Sequence, residues 1–204
     1  MSRPVVFCSR TATHAYERRR DVTVSGARLR GPARRPARAD RRETDRAGFT
    51  PNVFAALAYA PDQFRGFVDY HDALVEGTSL DREEVEMIVV AVSGVNHCYY
   101  CNVAHGALVR IYADDPLLAD QLVANYRTAD VSDERLLMLD VAVTLTERPW
   151  EVTEADLDAL AEAGIAEREI WDIGAITAFF NPSNRLASFV DMRPNDEFHT
   201  PGRE

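Results

Sequence analysis

Residues 86–105 read Glu86-Met-Ile-Val-Val-Ala-Val-Ser-Gly-Val-Asn-His-Cys98-Tyr-Tyr-Cys101-Asn-Val-Ala-His105, and this stretch carries the strongest structural signals in the sequence. The run from Met87 to Val92 is apolar on nearly every side, which is typical of a helix buried in the middle of a domain. Asp81-x-x-Glu84 ahead of it is a capping-box pattern and marks the start of that helix. The sequence therefore predicts a central helix that ends near Val95.

A second helix is expected to begin around Cys98 and to run to about Tyr112. Positions i, i+3 and i+7 share one face of a helix. Cys98, Cys101 and His105 have this spacing, and Leu108 and Tyr112 continue the stripe. The face that carries the thiols is therefore predicted to point into the protein.

The residue types on this face suit thiol chemistry. Two thiols three residues apart at a helix N-terminus can close a disulfide, and the helix dipole with its free N–H groups favours the thiolate. His105 can accept or donate a proton beside Cys101. Glu86 lies in an apolar setting, where an ionised carboxylate is costly unless it is paired, and is a candidate proton carrier. On these grounds alone Cys98, nearest the helix N-terminus, is the expected nucleophile.

Other interpretations of the same residues remain open at this point. Cys98, Cys101, His105 and Glu86 together could hold zinc, although Glu86 must then reach across from another helix. No second cysteine pair exists, because Cys8 stands alone in a basic segment. The two cysteines could also be inert buried side chains, and His105 a hydrogen-bonded core histidine.

The rest of the chain from Phe49 onward carries helix signals only. Cap residues or prolines precede each further expected helix, and no alternating strand pattern or Asn-Gly hairpin turn appears. Pro182 is expected to kink or interrupt the last long helix, which runs from about Glu167 towards Leu186. The predicted fold class is all-α, a helical bundle with short loops and antiparallel neighbours. The expected helix starts are Thr50-Pro51, Pro61, Asp115-Pro116, Ser132 or Asp133, Thr153-x-x-Asp156 and Glu167.

Charge separates the chain into two parts. Residues 1–46 hold 13 Arg and 5 Asp or Glu, whereas the remainder holds 10 Arg and 28 Asp or Glu. We predict a basic, poorly ordered arm over 1–46 and one helical domain over 47–204. The acidic body argues against non-specific nucleic-acid binding.

No apolar run approaches the roughly 20 residues that cross a bilayer, and no secretory signal is evident, so a cytoplasmic protein is expected.

The central pattern resembles a known signature. Glu, eleven residues, Cys-x-x-Cys, three residues and His is similar to the motif of the AhpD-like alkylhydroperoxidases of the carboxymuconolactone decarboxylase superfamily. The resemblance covers about residues 48–199. Its flanks resemble the branch called peroxidase-related enzymes. These flanks are Phe49-Thr-Pro-Asn-Val-Phe54, Ala178-Phe-Phe-Asn181, Asn184-Arg-Leu-Ala187 and Asp196-Glu-Phe-His199.

The resemblance implies a role for each motif residue. Cys101 is implied as the peroxidatic thiolate and Cys98 as the resolving thiol, with His105 and Glu86 as a proton relay. The implied substrate is a hydroperoxide, and a dithiol reductant, either a small thiol or a thioredoxin- or lipoyl-type protein, regenerates the pair. No cofactor and no metal are implied. Some members carry a histidine just before the second cysteine, and Tyr100 stands there in this chain.

The leading functional interpretation is a thiol peroxidase that reduces hydrogen peroxide or organic hydroperoxides. The alternatives are a thiol–disulfide oxidoreductase or redox sensor, a non-redox lactone decarboxylase-type enzyme, and a zinc-stabilised interaction module.

A homo-oligomer is also predicted, because the apolar helix over 87–92 together with Phe179 and Phe180 indicates more apolar surface than one chain of this size covers.

Overall fold

A computed structural model describes residues 48–203, together with the backbone of residues 23–24 and 27–28. Residues 48–203 contain eight α-helices connected by short segments. They are α1 (Asn52–Leu57), α2 (Pro61–Gly77), α3 (Arg82–Val95), α4 (Tyr99–Ala113), α5 (Leu118–Asn125), α6 (Asp133–Glu147), α7 (Glu154–Glu162) and α8 (Glu167–Phe189). Short 3₁₀ turns lie at Tyr126–Thr128, Pro149–Glu151 and Asp196–His199. The all-helical prediction is confirmed for this part of the chain.

Two short strands precede the helices. β1 (Thr23–Val24) pairs antiparallel with β2 (Ala27–Arg28), with Thr23 opposite Arg28 and Val24 opposite Ala27. They lie within the segment for which a basic arm is predicted. The other residues of that segment, including Cys8, lie outside the described part of the chain.

Side-chain caps start the helices where the sequence indicates. The backbone N–H of Asp81 donates to Oε2 of Glu84 at 3.0 Å, which completes the capping box of α3. Thr153 and Asp156 form the equivalent box at α7. Ser132 Oγ accepts the N–H of Arg135 at the start of α6. Such caps satisfy backbone donors that have no partner inside the helix, and for this reason the sequence predicts where these helices start.

Helix α3 is the centre of the domain. It packs against α4, α5, α6 and α8, and every residue from Val85 to Ser93 is buried. A helix that is apolar on all sides is stable in water only when neighbours cover each side. The predicted central helix is therefore confirmed, and Glu86 and Ser93 are polar side chains inside this core.

The connection between α3 and α4 is very short. Helix α3 ends at Val95, His97 adopts a left-handed backbone conformation with φ 53°, and Cys98 is already the N-cap of α4. The N–H of Cys98 donates to the carbonyl of Ser93 at 2.9 Å. This tight reversal turns the chain back on itself, and α4 packs against α3.

The C-terminal segment closes one end of the bundle. Asn195 Oδ1 accepts the N–H of Asn52 at 2.8 Å, which ties this segment to α1. The buried Arg110 donates through Nε to the carbonyl of Pro201 at 2.9 Å and through Nη2 to that of Phe198 at 3.1 Å. These bonds hold the turn Asp196–His199 against α4.

Two sequence expectations are wrong. Helix α8 continues through Pro182 to Phe189 without interruption. Proline removes one backbone donor, but the side chain of Asn181 supplies a further bond to the helix by donating to the carbonyl of Thr177 at 3.0 Å.

The second wrong expectation concerns the amount of exposed apolar surface. The stretch 87–92 is at most 1% exposed, and Phe179 and Phe180 are also buried within the one chain, so these residues offer no free face.

None of the helices in residues 48–203 is long and apolar enough to cross a membrane.

Candidate active site

Cys98 and Cys101 lie side by side at the start of α4. Their Sγ atoms are 2.7 Å apart, and both thiols are free. Cys98 is 1% exposed and Cys101 2% exposed. A disulfide needs an S–S distance of about 2.05 Å, so the two sulfurs can be joined with a movement of less than an ångström. Along the predicted stripe the two cysteines are buried, His105 and Leu108 are half-buried, and Tyr112 is exposed.

The surroundings of the two sulfurs differ. Cys98 caps α4 and its Sγ accepts the backbone N–H of Cys101 at 3.4 Å. A proton shared between the sulfurs is therefore better placed on Cys101. The hydrogen bond to Cys101 lowers the pKa of Cys98 to about 7 against the effect of burial, with help from nearby His105. The same hydrogen bond and burial raise the pKa of Cys101. In the reduced pair the negative charge belongs on Cys98.

Glu86 and His105 meet between α3 and α4. Oε2 of Glu86 lies 2.7 Å from Nδ1 of His105. The Glu86 side chain is 6% exposed and that of His105 18% exposed. A buried carboxylate held against one ring nitrogen fixes the orientation of the imidazole and leaves the other nitrogen for a second partner. The structure thus brings together the two residues that the sequence places 19 positions apart.

Aromatic side chains enclose His105. Its ring packs edge-on against Phe180 with centroids 5.0 Å apart. Phe180 in turn contacts His71 of α2 and Phe179. The ring of His71 therefore packs against both phenylalanines that lie beside His105. Among the four predicted site residues, His105 is the most exposed.

A network of amides that the sequence argument missed lies beside the thiols. Asn96 Nδ2 donates to Oδ1 of Asn181 and Oδ1 of Asn184, at 3.1 and 3.0 Å. Asn184 Nδ2 donates to Oγ of Ser93 at 3.0 Å, and both residues are fully buried. One signal could have found them: Asn181 and Asn184 are three residues apart in an apolar helix, where buried amides need partners.

Tyr100 contacts α1 and the C-terminal segment. Burial raises its pKa, and its hydroxyl is hydrogen-bonded with the backbone of Val53 in α1. Its ring packs edge-on against Phe198 of the C-terminal segment, with centroids 6.4 Å apart. Tyr100 therefore connects α4 to the two ends of the domain.

Within residues 48–203, no group of three or more His, Cys, Asp or Glu side chains is arranged to hold a metal ion.

Comparison with known proteins places the chain in a family. Residues 61–112, which contain α3 and the motif, match the carboxymuconolactone decarboxylase family. A crystal structure of an AhpD-core, peroxidase-related protein from Ralstonia eutropha JMP134 is 51% identical, with a TM-score of 0.79 over 81% of this chain and 87% of that one. A peroxidase-related protein from Silicibacter sp. TM1040 is 41% identical, with a TM-score of 0.77 over 80% and 86% of the two chains.

More distant structures share the fold. The debrominase Bmp8, solved in complex with 2,3,4-tribromopyrrole, is 17% identical, with a TM-score of 0.67 over 78% of this chain and 85% of that one. At this identity the likeness concerns the fold alone. No curated protein sequence matches the chain.

Proposed function

The chain belongs to the carboxymuconolactone decarboxylase superfamily and, within it, to the AhpD-like peroxidase-related proteins, and from this we propose that it is a thiol-dependent peroxidase. Its substrate is hydrogen peroxide or an organic hydroperoxide, and its redox centre is the pair Cys98 and Cys101. One observation carries the proposal: two free, buried thiols 2.7 Å apart lie beside a hydrogen-bonded Glu86–His105 pair.

The first step is proton transfer within the pair. In the reduced protein Cys98 is the thiolate, and nearby His105 favours its charge. Cys98 takes the thiol proton of Cys101 across the 2.7 Å contact, and Cys101 becomes the attacking thiolate that the family resemblance implies. The route needs no outside base.

The second step breaks the peroxide. The Cys101 sulfur bonds to the terminal oxygen of the hydroperoxide, the O–O bond breaks, and Cys101 becomes a sulfenic acid. The departing alkoxide or hydroxide takes a proton from His105, so that an alcohol or water leaves. Glu86, held at 2.7 Å from Nδ1, stabilises the charged imidazolium before the transfer.

The third step closes the disulfide. Neutral His105 accepts the proton of the Cys98 thiol, and Cys98 attacks the sulfur of the Cys101 sulfenic acid. The hydroxide that leaves receives this proton and departs as water. A dithiol reductant then restores both thiols and becomes a disulfide itself. The net reaction converts one hydroperoxide and one dithiol into an alcohol, water and a disulfide.

The test is steady-state consumption of hydrogen peroxide and of cumene hydroperoxide with dihydrolipoamide as the dithiol. We expect catalytic turnover that disappears in Cys98→Ser and Cys101→Ser. Turnover of a protein disulfide without any reaction with peroxide would instead identify a thiol–disulfide oxidoreductase. Retention of both thiols under excess peroxide would refute the peroxidase proposal.

A further inference from the structure

Asn184 of α8 lies against both thiols, although it belongs to neither α3 nor α4. It is fully buried, and its Nδ2 donates to Oγ of Ser93 at 3.0 Å. The carbonyl of Ser93 accepts the N–H of Cys98 at 2.9 Å, so the Asn184 amide lies on the inner side of the cysteine pair. From there the side chain of Asn184 favours the charged form of both thiols, and that of Ser93 favours the charged form of Cys101. The inner side of the pair is therefore lined by uncharged polar groups from α3 and α8.

The orientation of the Asn184 amide is fixed by its other partners. Its Oδ1 accepts Nδ2 of Asn96 at 3.0 Å, and its Nδ2 donates to Ser93 Oγ at 3.0 Å. An amide nitrogen carries two hydrogens, so one remains for sulfur after Ser93 is satisfied. A flipped amide would set two NH₂ groups against each other at Asn96. The carbonyl end is thus held away from the thiols and the donor end towards them.

We propose that Asn184 is a catalytic hydrogen-bond donor to the sulfur pair. Its amide stabilises the negative charge while that charge moves from Cys98 to Cys101. Asn96 is the positioning residue that fixes this donor. The inference rests on the proposed peroxidase function, since it assigns a role within that reaction. A donor in reach of both sulfurs stabilises the charge on either one, and charge-assisted hydrogen bonds in a dry site are the strong ones.

The experiment measures thiolate directly, without peroxide. The rate of iodoacetamide alkylation at each cysteine is followed against pH by mass spectrometry, for the unsubstituted protein and for Asn184→Asp, Asn184→Ala and Asn96→Ala. We expect Asn184→Asp to raise the pH midpoint by about one unit and therefore to slow alkylation at pH 7 about fivefold, because the Asp carboxylate is a hydrogen-bond acceptor in the place where the Asn184 amide is a donor. Asn184→Ala is expected to shift the midpoint in the same direction by less.

One control variant and Asn96→Ala ensure that the experiment can contradict the proposal. Asn102→Ala is the matched control, because it removes the same amide one residue after Cys101, where the side chain lines a surface cavity with Tyr99 and Asp120. It is expected to leave the midpoint unchanged. Asn96→Ala covers the case in which Asn184 variants fail to fold, since it leaves Asn184 in place and frees its amide to flip. An upward shift is expected there too.

Other titratable groups near the sulfurs are His105 and Tyr100 on α4, with Glu86 behind His105, and all remain in these variants. Midpoints unchanged in Asn184→Asp and Asn96→Ala, or shifted equally in Asn102→Ala, would overturn the inference. A protein that shows the expected shifts but does not consume peroxide would refute the proposed function, while Asn184 remains the donor to the pair.

Discussion

Oε2 of Glu86 lies 2.7 Å from Nδ1 of His105, and this contact joins the first turns of α3 to the second turn of α4. Glu86 is surrounded by core side chains, where an unpaired carboxylate is costly. The pairing explains how a glutamate is tolerated there, and it also holds the imidazole that stands four residues after Cys101. Substitution of Glu86 and of His105 can distinguish the structural role of this pairing from its role in catalysis.

The Glu86–His105 pair is expected to serve proton transfer. Glu86→Gln keeps the shape and removes the carboxylate that stabilises the imidazolium, and His105→Gln keeps hydrogen bonding and removes the imidazole. Each is expected to slow peroxide turnover by roughly a hundredfold to ten-thousandfold while the helical circular dichroism is kept. The double variant is expected to lose little more than either single one, because both residues serve one path.

Glu83→Gln is the control for this prediction. Glu83 lies on the same helix but forms two hydrogen bonds with Arg135, at 2.8 and 2.9 Å. Its loss is expected to lower Tm slightly and to leave turnover intact. Full turnover in Glu86→Gln, or unfolding of that variant, would make Glu86 a structural group.

Peroxide is expected to oxidise the cysteine pair reversibly. One equivalent should remove two titratable thiols, and mass spectrometry should find a Cys98–Cys101 disulfide that dithiothreitol reduces. The physical reason is the 2.7 Å separation of the two sulfurs. Cys8 should remain a free thiol. Peroxide-dependent linkage of Cys8 to either site cysteine would contradict this assignment.

Single substitutions should separate the two cysteines. Cys101→Ser is expected to abolish the first oxidation. Cys98→Ser should still consume one equivalent of peroxide, more slowly because the neighbouring base is lost, and then stall with a sulfenic or over-oxidised Cys101. Trapping with dimedone and mass spectrometry identifies the species. The reverse pattern would show that the helix N-cap sulfur, Cys98, attacks first.

Cys98 is expected to be alkylated with a pH midpoint near 7, because its pKa is lowered to about 7. The rate should rise as pH increases through 7, since the thiolate is the reactive form. Cys101→Ala removes the side-chain partner that is the largest cause of the lowered pKa. The midpoint should then move up towards the ordinary value of about 8.5. An unchanged midpoint in Cys101→Ala would assign the shift to another group.

The protein is expected to form homo-oligomers, although for a different reason than the sequence suggested. The residues that first indicated an excess apolar face are buried, but Tyr99 and Ile111 on α4 and Leu117 and Val123 at α5 are between 39% and 60% exposed. Sedimentation at micromolar concentration should give a dimer or larger species. Ile111→Glu is expected to weaken association, and Leu157→Glu on α7 serves as the control. A monomer for the unsubstituted protein would refute the prediction.

Local features of the sequence determined the helices and the thiol stripe. Caps such as Asp81-x-x-Glu84 are contained within a single turn, and the spacing of Cys98, Cys101 and His105 translates directly into one helix face. The all-round apolar character of α3 also made its central position predictable. These inferences need no knowledge of how the helices are arranged.

The tertiary structure decided everything that depends on distances between helices. The contact of Glu86 with His105 and that of Asn184 with both thiols depend on how α4 and α8 pack on α3, as does the burial of Phe179 and Phe180. The turn of Tyr100 towards Val53 depends on the placement of α1. Spacing along the chain fixes which side chains share a face, whereas the shapes of all the packed side chains together fix which faces meet.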